Sequence, residues 1–95
     1  MTAYVVVEVE IRDAEAFAAY RKLGVPSIEQ YGGRVLARSD DALSLEGEWH
    51  PPRIVVLEFE SVEHAQRWHA SPEYQAARQL RVNAGTTRSV AFPAL

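Results

Sequence analysis

At 95 residues the chain has room for one hydrophobic core, so a single domain over residues 1–95 is expected and a second is excluded. Its 47% apolar and 24% charged residues are ordinary globular proportions that exclude a disordered chain, and its formal charge of −3 comes without the concentrated basic face that nucleic acid demands. Cysteine is absent, which excludes disulfides, thiolate nucleophiles and thiolate metal sites.

The first residues, Met1-Thr2-Ala3-Tyr4, carry no basic region ahead of an apolar stretch, so the mature chain is expected to start where the gene does. No run approaches the ~18 apolar residues of a membrane span. No membrane partner is expected, and the lack of cysteine makes a reducing cytoplasm the expected location. Residues 4–11 are a β-branched run in which Val5, Val7, Val9 and Ile11 take one face and Tyr4, Val6, Glu8 and Glu10 the other, which predicts a strand. Asp13 is a good N-cap for a helix over 14–23, with Ala16, Phe17, Tyr20 and Leu23 at helical spacing. Gly24 and Pro26 are expected to interrupt it, with one more turn at 27–31 before Gly32-Gly33 stops it.

Residues 34–38 alternate as a second strand, and 39–52 form a long connection with a short strand around 42–45. Residues 53–59 read R-I-V-V-L-E-F, a third strand apolar on both faces except at Glu58. Ser61 caps a helix carrying Val62, Ala65 and Trp68 inward. Ser71-Pro72 is a second cap, with proline at the first helical position, for a helix through Tyr74, Ala77 and Leu80 to about residue 83. Residues 86–92 form the last strand.

The order β-α-β-β-α-β predicts an α+β fold of ferredoxin-like type: a four-stranded antiparallel sheet in the order 4-1-3-2 with the helices on one face. Val6, Leu36, Ile54, Val56 and Val90 then project from the face the helices leave open. An apolar surface of that extent predicts a homodimer packed sheet to sheet.

Four stretches, Tyr31-Gly32-Gly33-Arg34, Leu45-Glu46-Gly47-Glu48-Trp49, Glu58-Phe59-Glu60-Ser61 and Trp68-His69-Ala70-Ser71-Pro72-Glu73-Tyr74, stand in one order along the chain. Together they resemble the domain of unknown function 1330 family, within the dimeric α/β-barrel superfamily, and the resemblance covers nearly the whole chain. It implies the fold and dimerisation; the family carries no established activity. The chain departs from the family pattern at Ser39-Asp40, where glycines are usual, at Glu60, where proline is common, and at His69, where tyrosine is usual.

Residues that share a sheet face share parity along each strand, so Tyr4, Val6 and Glu8 accompany Ile54, Val56 and Glu58. Centring the two apolar runs places Glu58 opposite Tyr4 and Glu8 opposite Ile54, with the carboxylates roughly 13 Å apart, too far for an acid/base dyad. Parity brings Arg34 beside Glu58 and Arg88 beside Glu8, and leaves Arg38 at the other end of its strand on the same face. Two readings stand. One is cross-strand ion pairs, each contributing roughly 0.2 to 1 kcal/mol. The other is a mixed-sign cavity between facing sheets, in which Arg34 or Arg38 binds a small anion while Tyr4 and Glu58 supply proton donor and acceptor.

The proline-stiffened loop 46–53 offers Trp49 as a cover for a pocket mouth, His50 as a proton-transfer group and Arg53 as a further binding residue, against a plain anchoring role for Trp49. His64 and His69 are five apart and point about 140° from each other around a helix, which predicts no metal site. Phe17, Tyr20, Trp68 and Tyr74 could line a cofactor pocket, but core packing is the default at such spacing, and no cofactor is expected. Gly32-Gly33 follows a helix and precedes a strand, the reverse of a nucleotide loop, and no G-x-S-x-G occurs. The ligand-binding candidates are thus Tyr4, Arg34, Arg38, Trp49, Arg53 and Glu58, with no catalytic residue named. Three functions remain open: a module binding a small polar or anionic compound, a cofactor-independent isomerase, decarboxylase or monooxygenase, and a purely structural dimer.

Overall fold

Alternating β-branched residues make Ala3–Ile11 the first strand, β1. In the computed structural model, which describes residues 1–95, it is followed by α1 (Ala14–Gln30), β2 (Arg34–Ser39), β3 (Arg53–Phe59), α2 (Val62–Ala70), α3 (Pro72–Gln79) and β4 (Gly85–Pro93). Asp13, Ser61 and Ser71 cap the three helices, each side chain accepting a backbone N–H three residues on. No helix is long and apolar enough to cross a membrane.

The strands form one antiparallel sheet in the order β2-β3-β1-β4, with Tyr4 opposite Glu58, Val6 opposite Val56 and Glu8 opposite Ile54. This is the ferredoxin-like arrangement and the register expected from centring the apolar runs. Odd-numbered residues of β1 and β3 face the helices. Val5, Val9, Leu57 and Phe59 are buried there with Phe17 and Ile28 of α1, Ala65 and Trp68 of α2, and Tyr74 and Ala77 of α3. The opposite face is open: Val6, Ile54 and Val56 are half-buried, while Leu36, Val90 and Phe92 are exposed.

Four local expectations need correction. Gly24 and Pro26 do not break α1, which runs on to Gln30 with Pro26 inside it. Proline in a helix interior costs about 3 kcal/mol, but the turns beyond it are tied into the core, with Ile28 buried and Ser27 Oγ accepting from Trp68 Nε1 at 3.0 Å. Residues 42–45 form no strand, because β2 and β3 already satisfy each other and the segment loops outside them. The third helix stops at Gln79, leaving Leu80 43% exposed while Arg81 turns inward.

The fourth correction concerns β2. Val35 pairs with Leu57 but Ala37 pairs with Val56, so Leu36 is the extra residue of a bulge. Unbulged, Arg38 would oppose Ile54 on the open face; the bulge sets it opposite Val55, on the helix side.

The stretches that carry the family resemblance are joints. Gly32 lies at φ 79°, and a Cβ on Gly33 would sit 2.5 Å from the Phe59 ring, so the turn into β2 packs directly on the core. Tyr31 Oη donates to Glu73 Oε1 at 2.7 Å, tying that turn to α3, and Ser71 Oγ donates to the Trp68 carbonyl at 2.7 Å as the chain passes from α2 to α3.

Candidate functional site

Between α1 and the helix-facing side of the sheet lies a cavity of about 250 Å³. Its floor is Val7 and Val9 of β1 with Val55 and Leu57 of β3, the odd-numbered residues that strand parity turns toward the helices. Its roof is one stripe of α1, Phe17, Tyr20, Gly24 and Ile28, spaced three or four apart, and Trp68 of α2 closes it from the side. A Cβ at Gly24 would crowd the Tyr20 ring at 3.2 Å, so the glycine lets that ring pack against the helix. No aspartate, glutamate or histidine lines this cavity.

Three arginines ring it: Arg21 from α1, Arg38 from the bulged β2 and Arg53 from the start of β3. Arg53 is clamped by Asp40 in a two-pronged pair, Nε donating to Oδ1 at 2.5 Å and Nη2 to Oδ2 at 3.0 Å. That hydrogen bonding first, then the charges of Arg53, Arg38 and Arg21, holds the Asp40 carboxyl below its ordinary range. Neither Arg21 nor Arg38 has an ion pair of its own. The rim therefore carries three guanidiniums against one carboxylate.

Beyond the cavity wall the hydroxyls of Tyr20 and Tyr74 share a hydrogen bond at 3.1 Å, and Arg81 Nη2 donates to Tyr74 Oη at 2.8 Å. The Arg81 guanidinium also lies over the Tyr20 ring, 5.0 Å from its centroid. Burial pushes the Tyr20 phenol well above its ordinary range, with the neighbouring Tyr74 adding to the effect. Tyr20 thus offers the cavity a ring and keeps its proton in the core. His69, on the far side of Trp68, borders a separate cavity of about 290 Å³ between α2 and β4. Burial, then the charges of Arg78 and Arg81, lowers its pKa.

The six sequence candidates fall on two faces. Arg38 and Arg53 reach the cavity. Tyr4, Arg34 and Glu58 lie on the open face, where Arg34 Nε donates to Glu58 Oε1 at 2.8 Å and Tyr4 packs toward Phe92 with ring centroids 6.1 Å apart. Trp49 also reaches that face: its Nε1 donates to Glu8 Oε2 at 3.0 Å, and Arg88 pairs with the other oxygen of the same carboxylate. The expectation that Arg38 shares a face with Arg34 and Glu58 is overturned by the bulge. Arg21 was missed, since a lone arginine on a helix reads as a solvated side chain. Phe17, Tyr20 and Trp68 were assigned to core packing, and they line the cavity as well.

Residues 2–95 match the family described as a domain of unknown function (DUF1330). No match was found among curated proteins. Among solved structures, a protein of unknown function from Rhodopseudomonas palustris, RPA0582, is 25% identical, with 99% of this chain and 82% of that chain covered and a TM-score of 0.79. A dimeric ferredoxin-like protein of unknown function from Thermobifida fusca is 16% identical over 99% of this chain and 92% of that one, with a TM-score of 0.65. SnoaB, a cofactor-independent oxygenase from Streptomyces nogalater, is 14% identical over 99% and 91%, with a TM-score of 0.62. The last two likenesses show a common fold.

Proposed function

This chain belongs to the family of the domain of unknown function DUF1330, and we propose that it is a binding module that takes up a small, largely apolar organic compound in the cavity between α1 and the sheet. One observation carries the reading: a cavity of about 250 Å³ with apolar walls at floor, roof and side, opening onto a few polar groups at its rim. Sites for small molecules have that division of labour, apolar walls for affinity and sparse polar groups for orientation.

The fold shared with a cofactor-independent oxygenase raises an enzymatic alternative. The cavity walls favour binding over acid–base chemistry, because they hold no carboxylate or imidazole and the hydroxyl of Tyr20 is tied to Tyr74. The open face belongs, in the same proposal, to a homodimer, with Tyr4, Arg34, Glu58 and Trp49 serving the contact between facing sheets. Dimeric neighbours of the same fold and the exposed Val90 and Phe92 support it. A cysteine-free domain suits a single-domain role in the cytoplasm.

A thermal-shift screen against small aromatic and aliphatic compounds tests the binding reading, since a ligand that binds only the folded state raises its melting temperature. Val25 borders the cavity from a 43% exposed position on α1, so Val25→Trp should fill the space at little cost to the fold. Hits that stabilise the natural chain should fail with this variant. Hits that stabilise both equally would remove the cavity from consideration.

A further inference from the structure

We infer that the compound bound in the α1 cavity carries one carboxylate, or an equivalent single anionic group, which docks on Arg21, Arg38 and Arg53 in the place that Asp40 now holds. This rests on the cavity being a binding site, and it names the chemical class that such a site selects. Arg53 shows how the rim recognises an anion, because its guanidinium already grips a carboxylate through two parallel hydrogen bonds. Its side chain is only 17% exposed, so the grip forms in partly desolvated surroundings, where charge-assisted hydrogen bonds are strong.

Asp40 is built to be exchanged. Its side chain is 63% exposed and it begins the irregular 40–52 loop, so on release it returns to water without breaking a helix or strand. One carboxylate then replaces another on Arg53, and the exchange leaves no buried charge unpaired. Arg38 and Arg21 line the same cavity without an ion pair, and the combined field of the three arginines acts on Asp40 to keep it ionised. With three cations against one anion, an anionic ligand adds attraction beyond what Asp40 neutralises, whereas a cationic ligand meets repulsion.

Size completes the class. A cavity of about 150 Å³ accommodates a bare benzene ring, and this one, at about 250 Å³, has room for a ring and a short linker reaching the rim. An arylalkanoic acid or a medium-chain fatty acid fits that description, its apolar part beneath Gly24 and its carboxylate among the arginines.

Calorimetric titration of the natural chain with 4-phenylbutyrate and with its neutral amide tests the inference. The acid should bind at least about tenfold more tightly, as expected for a charge-assisted pair. Arg38→Gln should weaken binding of the acid more than that of the amide and so narrow the gap, and an unchanged gap would overturn the role of Arg38; Arg38 is exposed and unpaired, so the fold tolerates the change. Asp40→Ala should tighten binding of the acid up to about fivefold, the range of a surface ion pair, and leave the amide unaffected. Equal affinity for acid and amide would overturn the anionic class while the cavity stands as an apolar site. Binding of neither would overturn both readings. Acid binding that survives Val25→Trp would place the anion site outside the cavity and overturn the inference.

Discussion

Trp68 joins the core to the cavity through a single side chain. Its ring lies 4.3 Å from that of Tyr74 and 5.3 Å from that of Phe59, its Nε1 donates to Ser27 Oγ, and it is only 4% exposed. Replacing it leaves a large void and frees the segment of α1 that follows Pro26. Trp68→Ala should therefore cost roughly 3 to 5 kcal/mol, measured by urea unfolding, and a loss under about 1 kcal/mol would mean that the ring is not part of the packed core. Nearby, Arg81 is a buried guanidinium with no carboxylate partner; Tyr74 Oη and the face of the Tyr20 ring take that role. Two hydroxyls and a cation thereby partner one another across α1 and α3 without an ion pair, while the buried Arg81 Nε is left without a hydrogen-bond partner.

At the scale of elements, the 40–52 loop and the β2 bulge decide what the site contains. The loop is pinned on both sides of the sheet: Asp40 to Arg53 at the cavity rim and Trp49 to Glu8 on the open face. Both carboxyls titrate below their ordinary values of 3.8 and 4.5, Asp40 chiefly through Arg53 and Glu8 chiefly through Arg88 and then Trp49. A carboxyl lowered by folding contributes its full stabilisation above the unfolded value and loses it as pH falls through the folded one. The loop should stay anchored at neutral pH and come loose below about pH 4, before the helices and strands unfold. Trp49 emission in a Trp68→Phe background reports this directly. A red shift below pH 4 that precedes loss of the far-ultraviolet circular dichroism signal is the expected result, and a single coincident transition would contradict it.

The whole molecule is a slab, with principal extents of 34 × 31 × 16 Å, because two layers are all that one sheet and three short helices can make. It exposes 6337 Å² of surface, where a folded monomer of this mass exposes about 5,500 Å². The excess is comparable to the roughly 800 Å² per partner of a standard protein interface. Two slabs placed sheet to sheet would cover Val6, Ile54, Val56 and Val90 in one layer. Light scattering at micromolar concentration should then give twice the chain mass of 10.6 kDa. A stable species at the chain mass would contradict the dimer, and Val90→Lys, placing a charge on the open face, should shift the population toward it.

Strand parity and helix spacing are local properties, and they carried the sequence reading a long way. The β1–β3 register followed from centring two apolar runs, Arg34 and Arg88 found Glu58 and Glu8 as expected, and Ser61 and Ser71 signalled their helices by cap chemistry alone. The rest depended on partners distant in the chain. Pro26 stays within a helix because the core holds the turns beyond it, a gain that no local propensity expresses. One extra residue in β2 turns Arg38 to the opposite face, and a bulge has no composition of its own by which Leu36 could have been marked. The cavity lies where α1 passes over Val7, Val9, Val55 and Leu57, from two strands far apart in sequence. Periodicity could say which residues face inward, but only the packing of α1 on the sheet decided where they fail to fill the space between them.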